Sequence, residues 1–119
     1  MADRSSRIGT FLAEEYRAAE RATSAGQIDQ AWHHLERAHV VAQTQWAPHL
    51  QSHWKMLLLA IRTRDGRETC GQLVRLPLAP LGNLTGRLPI GNTGRSNVSA
   101  FARMNIPPDL SALLDPKTD

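Results

Sequence analysis

The chain has 119 residues, of which 41% are hydrophobic and 21% are charged. A chain of this length supports one hydrophobic core but not two, and its composition differs from that of a disordered protein. We therefore expect one domain over residues 1–119. The formal net charge is +3, and the cations are interleaved with acids. This pattern argues against nucleic-acid binding, which would need a stripe of cations with stacking aromatics.

The single cysteine, Cys70, excludes a disulfide within the chain and a cysteine-rich zinc site. The first residues contain no apolar run typical of a signal peptide. The longest apolar stretch, Met56 to Ile61, is too short to cross a bilayer. We therefore expect a cytoplasmic protein that does not insert into a membrane.

Apolar residues recur at helical spacing through the first two thirds of the chain. Glycine, proline and polar turns interrupt the pattern and predict where each helix ends. Pro77 is expected to end the last of these helices, because proline lacks the backbone N–H that a helix interior needs. Four helices are predicted, over about residues 5–24, 27–43, 48–64 and 67–76. The third is expected to bury Leu50, Trp54, Leu57 and Ile61.

The connections between these helices are short, so consecutive helices should be antiparallel. Residues 26–40 also match the second helix of a tetratricopeptide-like unit, with Ala31, Leu35 and Ala38 at packing positions. No second copy follows at the proper offset. The sequence therefore predicts an all-α fold: a small antiparallel bundle of about four helices with a tetratricopeptide-like hairpin, but no repeat array.

From Pro77 onward, glycine and proline come too close together for long regular elements. Apolar residues nevertheless continue at intervals, which a disordered tail would not retain. We expect residues 77–119 to form an ordered, irregular wrap over the helical part, residues 5–76. A short turn is predicted over residues 108–114, and residues 115–119 are expected to fray.

All five histidines lie between His33 and His53. His49 and His53 are four residues apart and therefore share one face of the predicted third helix. Two imidazoles at this spacing commonly bind one metal ion. Glu36 and His39 share a face of the preceding helix, and Glu-x-x-His is half of the ligand set of di-metal helical bundles.

The position of each group along the hairpin favours a shared site. At about 1.5 Å rise per residue, His39 and His53 both lie roughly 8 Å from the connection between their helices. Glu36 should lie one turn further away and His49 near the base, so that Glu36, His39 and His53 fit best. Three imidazoles and a carboxylate suit zinc, iron, manganese or copper. We predict a mononuclear divalent-metal site, with zinc or iron favoured.

The predicted ligands are Glu36, His39, His49 and His53, with His34 either as an alternative ligand or as a hydrogen-bond partner that supports one of them. Histidines that border a core can also be ordinary hydrogen-bonding residues. The main alternative is therefore a metal-free, tetratricopeptide-like interaction module that binds a partner peptide beside Trp32 or Trp46, or forms a homodimer. A metal-free enzyme is a further alternative, with His39 or His53 as general base, Glu36 orienting it and an unknown small-molecule substrate.

Residues 91–97, Gly-Asn-Thr-Gly-Arg-Ser-Asn, form a second candidate feature. Backbone N–H groups between its two glycines could bind an anion with help from Arg95. The segment lacks the lysine and the spacing of a phosphate-binding loop, so a structural turn is the favoured interpretation. We expect residues 91–99 to cover the metal site.

Four blocks of residues, in order over about 10–114, resemble one known family. They are His34-Leu35-Glu36-Arg37-Ala38-His39-Val40, His49-x-x-x-His53-Trp54-x-Met56, Gly91-Asn92-Thr93-Gly94 with Val98-Ser99, and Met104-x-Ile106-Pro107-x-Asp109-Leu110. The chain is similar to the family catalogued as domain of unknown function 3703. The resemblance implies a small, mostly bacterial protein and no particular activity. It also implies that His34, Glu36, His39, His49 and His53 belong to motif blocks and that His33 does not.

Overall fold

Five helices and no strand make up the fold of residues 3–115, the part of the chain that this computed structural model describes. The predicted all-α class is confirmed. Beyond Asp115, the predicted fraying concerns residues outside the described range. The helices are α1 (Arg4–Ser24), α2 (Ile28–Ala42), α3 (Trp46–Arg62), α4 (Gly66–Thr85) and α5 (Pro108–Leu114).

The first four helices pack as two hairpins, α1 with α2 and α3 with α4. Asp3 caps α1 by accepting a 2.7 Å hydrogen bond from the Ser6 N–H. The chain then reverses at Gly26, whose φ of +75° lies in the left-handed region that glycine tolerates best. The predicted bounds of the first three helices lie within two residues of those observed.

The fourth helix is longer than predicted. The expectation that Pro77 ends it at Leu76 is wrong, since α4 includes Pro77 and Pro80 and continues to the left-handed Gly86. Each proline removes one helical hydrogen bond. Tertiary contacts hold the continuation in place: Ala79 is buried, and Asn83 donates a hydrogen bond to the Gln43 carbonyl at the end of α2.

The third helix buries a different face from the one predicted. Leu57 is buried as expected, but Trp54 and Ile61 are 50% and 55% exposed. The prediction counted only apolar residues, whereas the buried face of α3 also carries polar side chains that find partners in α2 and α4. The buried residues are His49, Ser52, His53, Met56, Leu57, Leu59 and Ala60.

Two hydrophobic clusters surround α2. One joins α1, α2 and α3 around Trp32 and Met56. The other joins α1, α2 and α5 around Leu12, Val41 and Leu110. The remaining side of α2 faces α4 and the segment between α4 and α5. The candidate site lies on this side. Over residues 3–115, no helix combines the length and apolar character needed to cross a membrane.

Candidate metal centre

Three buried histidines meet where α2, α3 and α4 come together. His39 lies on α2, and His49 and His53 lie one turn apart on α3. One ring nitrogen from each lies within 4.8 Å of the other two. The ring centroids are 4.6–5.1 Å apart. Within the described residues, these three side chains form the one group of His, Cys, Asp or Glu close enough to hold a metal ion.

Each imidazole is oriented through its Nδ1 atom. His39 Nδ1 lies 2.7 Å from the backbone carbonyl oxygen of Asn92, which can only accept a hydrogen bond. His49 Nδ1 lies 2.8 Å from Asn83 Oδ1, and His53 Nδ1 lies 2.7 Å from Gln72 Oε1. An oxygen acceptor on Nδ1 keeps the proton there and leaves Nε2 unprotonated in the neutral ring.

The side-chain amides of Asn83 and Gln72 are themselves oriented by acceptors. Asn83 donates from Nδ2 to the Gln43 carbonyl at 3.0 Å. Gln72 donates from Nε2 to Glu68 Oε2 and to the Gly94 carbonyl, both at 2.9 Å. Reversing either amide would place an oxygen against these acceptors, so the oxygens must face the histidines.

The unprotonated Nε2 atoms of His39 and His53 therefore face each other, and the His49 ring lies against both. His39 Nε2 and His53 Nε2 are only 3.1 Å apart, with no proton to share between them in the neutral state. Burial, reinforced by the neighbouring imidazoles, holds the pKa of His39 well below its ordinary value. Burial also lowers the pKa of His49, and that of His53 to about 4. Near neutral pH the three imidazoles are therefore uncharged, and their unprotonated nitrogens have lone pairs available to bind a metal ion.

The spacing of these nitrogens is compatible with a metal ion. Two nitrogens bound tetrahedrally at 2.0–2.1 Å from zinc are separated by roughly 3.3 Å. The His39–His53 pair already lies at 3.1 Å. Other ligand nitrogens in the group are up to 4.8 Å apart. The rings must therefore move modestly before all three nitrogens can bind one ion.

Glu36 and His34 lie outside this group. His34 Nδ1 instead lies 2.5 Å from Glu15 Oε2 on α1. Burial raises the pKa of Glu36, while Arg95 and His33 lower it. Glu36 also orients neither His39 nor His53, whose Nδ1 partners are Asn92 and Gln72. The sequence ranked His49 as the least well placed ligand, yet the structure brings it into the group.

The segment of residues 91–99 contacts His39 through Asn92 and Gly94; its role as the cover of a metal site stays a prediction. A Cβ added at Gly94, whose φ is +86°, would lie 2.6 Å from His39 Cδ2. Glycine is therefore needed both for the backbone conformation and for the close approach to the ring. Asn92 is buried and organises this segment by donating to the carbonyls of Ser99 and Ala102 and accepting from the Gly94 N–H.

The anion that this segment binds is a side chain of the protein, the Glu68 carboxylate. The buried Glu68 carboxylate accepts hydrogen bonds from Arg95 Nε at 3.1 Å and from the Ser96 N–H at 2.9 Å. The Arg95 guanidinium also lies 4.2 Å from the centre of the Trp32 ring. Since Glu68 binds Gln72 as well, a continuous chain of contacts runs from Arg95 to His53. This arrangement agrees with the structural interpretation of the loop.

Sequence reasoning missed the polar residues on α4 that support the site. Glu68, Gln72 and Asn83 lie on one face of α4 with the buried Ala79, at spacings of four, seven and four residues. The repeated spacing was the available signal. This signal was overlooked because the helices were predicted from apolar residues alone. The predicted fourth helix also ended before Pro77 and so did not include Asn83.

A cavity of about 420 Å³ opens beside the three histidines. Its far wall is formed by α4 and the segment that follows it. Leu78, Leu81 and Phe101 contribute apolar surface, and Arg75 contributes a guanidinium group. A small molecule that entered this cavity would reach the histidine cluster directly.

These features define a small helical protein with a buried three-histidine centre beside an open cavity. A family model described as "Protein of unknown function (DUF3703)" matches residues 6–114. The chain belongs to this family, as its sequence blocks indicated. Comparison with curated proteins and with solved structures found no match.

Proposed function

We propose that this protein binds one divalent transition metal ion through Nε2 of His39, His49 and His53. The observation that carries the proposal is the common orientation of the three rings. Each Nδ1 lies against an oxygen acceptor, which leaves Nε2 of each ring unprotonated, and one ring nitrogen from each histidine lies within 4.8 Å of the other two. Buried polar groups are ordinarily paired, and a cation at the centre would pair all three at once.

The nitrogen ligands favour a first-row transition metal over magnesium or calcium, and zinc or iron(II) is the ion we propose. Neutral imidazole suits zinc, copper, iron and nickel, whereas magnesium and calcium prefer oxygen ligands. The described group contains no carboxylate and no thiolate. The oxygen acceptors behind each ring are the partners that fix the tautomer and orientation of metal-binding histidines.

The cavity supports a reactive rather than a purely structural site. Structural zinc sites are usually closed by four protein ligands, whereas catalytic sites use three and leave one position for water or substrate. Here the described group supplies three nitrogens, and these histidines line the cavity. A bound ion would act as a Lewis acid on a molecule in that cavity. The cavity walls would position this molecule beside the ion.

Metal analysis of protein purified without a histidine tag tests the proposal. The wild type should contain close to one zinc or iron ion per chain after reloading and removal of excess metal. His39→Ala combined with His53→Ala should reduce this to below about a tenth, with circular dichroism confirming that the helices remain. His33→Ala is the matched control because His33 is exposed and outside the group. Substoichiometric metal in the wild type that the double substitution does not change would refute the proposal.

A protein-interaction function is the second candidate, and the surface around Trp46 favours it. Trp46 is 62% exposed and lines a surface pocket with Pro48, Pro80 and Leu84. By contrast, Trp32 is buried and packs against Arg95. If this surface forms a homodimer, sedimentation velocity should show a concentration-dependent dimer that Trp46→Ser abolishes. A monomer at every concentration would exclude the homodimer.

A further inference from the structure

We infer that the cavity beside the histidines binds a small carboxylic acid with an apolar body, its carboxylate directed toward the metal centre and Arg75. This inference deepens the proposed function and rests on it for the contribution of the metal. It names the class of ligand, which the three histidines alone do not determine.

The walls of the cavity select for an apolar body. Its volume of about 420 Å³ lies within the range of small-molecule sites, about 300–1,000 Å³. The side chains that face it between the histidines and the surface are mainly aliphatic or aromatic. They are Leu78, Ala79, Leu81, Leu88, Pro89 and Phe101.

The charged groups around the cavity select for an anion. Arg75 and Arg87 both line it, and among the lining residues that the structure describes none is an aspartate or a glutamate. Arg75 is half-buried, and its guanidinium donates to two backbone carbonyls, Gly94 at 3.1 Å and Val98 at 2.6 Å. These carbonyls satisfy hydrogen bonds but carry no net charge. Burial lowers the pKa of Arg75, whereas the nearby Glu68 carboxylate raises it. Glu68 is already bound by Arg95.

A metal ion held by three neutral imidazoles would keep its full charge of about +2. The cavity would then combine that charge with two guanidinium groups and no lining carboxylate. Positive charge in a partly desolvated site is costly unless an anion compensates it. A carboxylate can contact both the ion and a guanidinium, because it has two oxygens that accept charged hydrogen bonds.

Isothermal titration of the zinc-loaded protein with hexanoate, hexanamide and acetate tests this inference. Hexanoate should bind at least tenfold more tightly than hexanamide, which has the same body without the charge. It should also bind at least tenfold more tightly than acetate, which has the charge without the body. Equal affinity for hexanoate and hexanamide would overturn the inference.

Substitutions of the two cavity arginines provide a second test of the inference. Arg75→Met should weaken hexanoate binding at least tenfold. Arg87→Gln should weaken hexanoate binding severalfold. It removes the other positive charge of the cavity without disturbing the fold, because Arg87 is exposed. Arg67→Gln is the matched control, since Arg67 is exposed on α4 and does not line the cavity. Wild-type affinity in both cavity variants would also overturn the inference.

Zinc content, measured first, separates this inference from the proposed function. Stoichiometric zinc without preferential hexanoate binding leaves the metal site standing and overturns the carboxylate inference. Arginine-dependent hexanoate binding by a protein that takes up no zinc supports the carboxylate site and refutes the metal site. Failure of both measurements refutes both.

Discussion

His39 Nε2 and His53 Nε2 face each other across 3.1 Å although both rings donate their Nδ1 protons elsewhere. Two neutral imidazoles in this arrangement present lone pairs to each other and share no hydrogen bond. A third imidazole, that of His49, lies against both. The fold therefore tolerates a local repulsion that a cation would convert into attraction.

We expect zinc to stabilise the protein against heat. A ligand present at about 100 times its Kd, binding only the folded state, adds about 2.7 kcal/mol to the free energy of unfolding. For a domain of this size that corresponds to a rise in Tm on the order of 10 °C. Differential scanning calorimetry with zinc and with a chelator measures the shift. His39→Ala with His53→Ala should remove it, and an equal shift from magnesium would argue against nitrogen coordination.

Asn83→Leu should weaken zinc binding about 10- to 100-fold, because Asn83 Oδ1 orients His49 through its Nδ1. Asn83→Asp should restore only part of the affinity, since it retains the oxygen acceptor for His49 but loses the donor to the Gln43 carbonyl. Competition with a chelating dye measures both. The control is Gln51→Leu, an exposed position on the same helix as His49. Unchanged affinity in Asn83→Leu would show that this contact does not position the ring for metal binding.

Glu68→Gln should destabilise the protein by about 2 kcal/mol near neutral pH, since it removes hydrogen bonds to a buried charged group. Burial raises the pKa of Glu68, but hydrogen bonds from Gln72, Ser96 and Arg95 lower it more, so it lies below its ordinary 4.5. A lowered folded-state pKa stabilises the fold above the unfolded-state pKa, and this stabilisation is lost as pH falls through the folded-state pKa.

The difference in unfolding free energy between wild type and Glu68→Gln should therefore be largest near pH 7 and shrink below about pH 4. Urea unfolding at several pH values measures it. Glu14→Gln, an exposed site on α1, should show almost no effect at any pH. A constant difference across this range would mean that the charge of Glu68 is not what stabilises the network.

Gly94→Ala should reduce both stability and zinc binding. The left-handed backbone at Gly94 costs about 1–2 kcal/mol for a residue with a Cβ. The added atom would also lie 2.6 Å from the His39 ring, which must move. Chemical denaturation and zinc titration measure the two effects. Gly9→Ala provides the contrast: Gly9 is in α1 with no neighbour near the added atom, and alanine there should stabilise by up to about 1 kcal/mol.

The sequence by itself determined the first three helices and the location of the histidine cluster. Apolar spacing, Gly26 and the short connections predicted the first three helices and their hairpin arrangement, because these signals act within a few residues. Helical spacing placed His49 and His53 on one face, and their distances from the connection placed His39 opposite them. These properties follow from local backbone geometry, so they can be calculated without knowledge of the packing.

Only the tertiary structure decided which polar residues the centre contains. Glu36 fitted the predicted site better than His49, but the faces that α2 and α3 bury bring in His49 and leave Glu36 outside the group. The acceptors that orient the rings come from distant parts of the chain: Asn92 lies 53 residues from His39. Helix rotation depends on the packing of whole faces, here polar as well as apolar. For this reason spacing along one helix located the histidine cluster but left its ring orientations and partners undetermined.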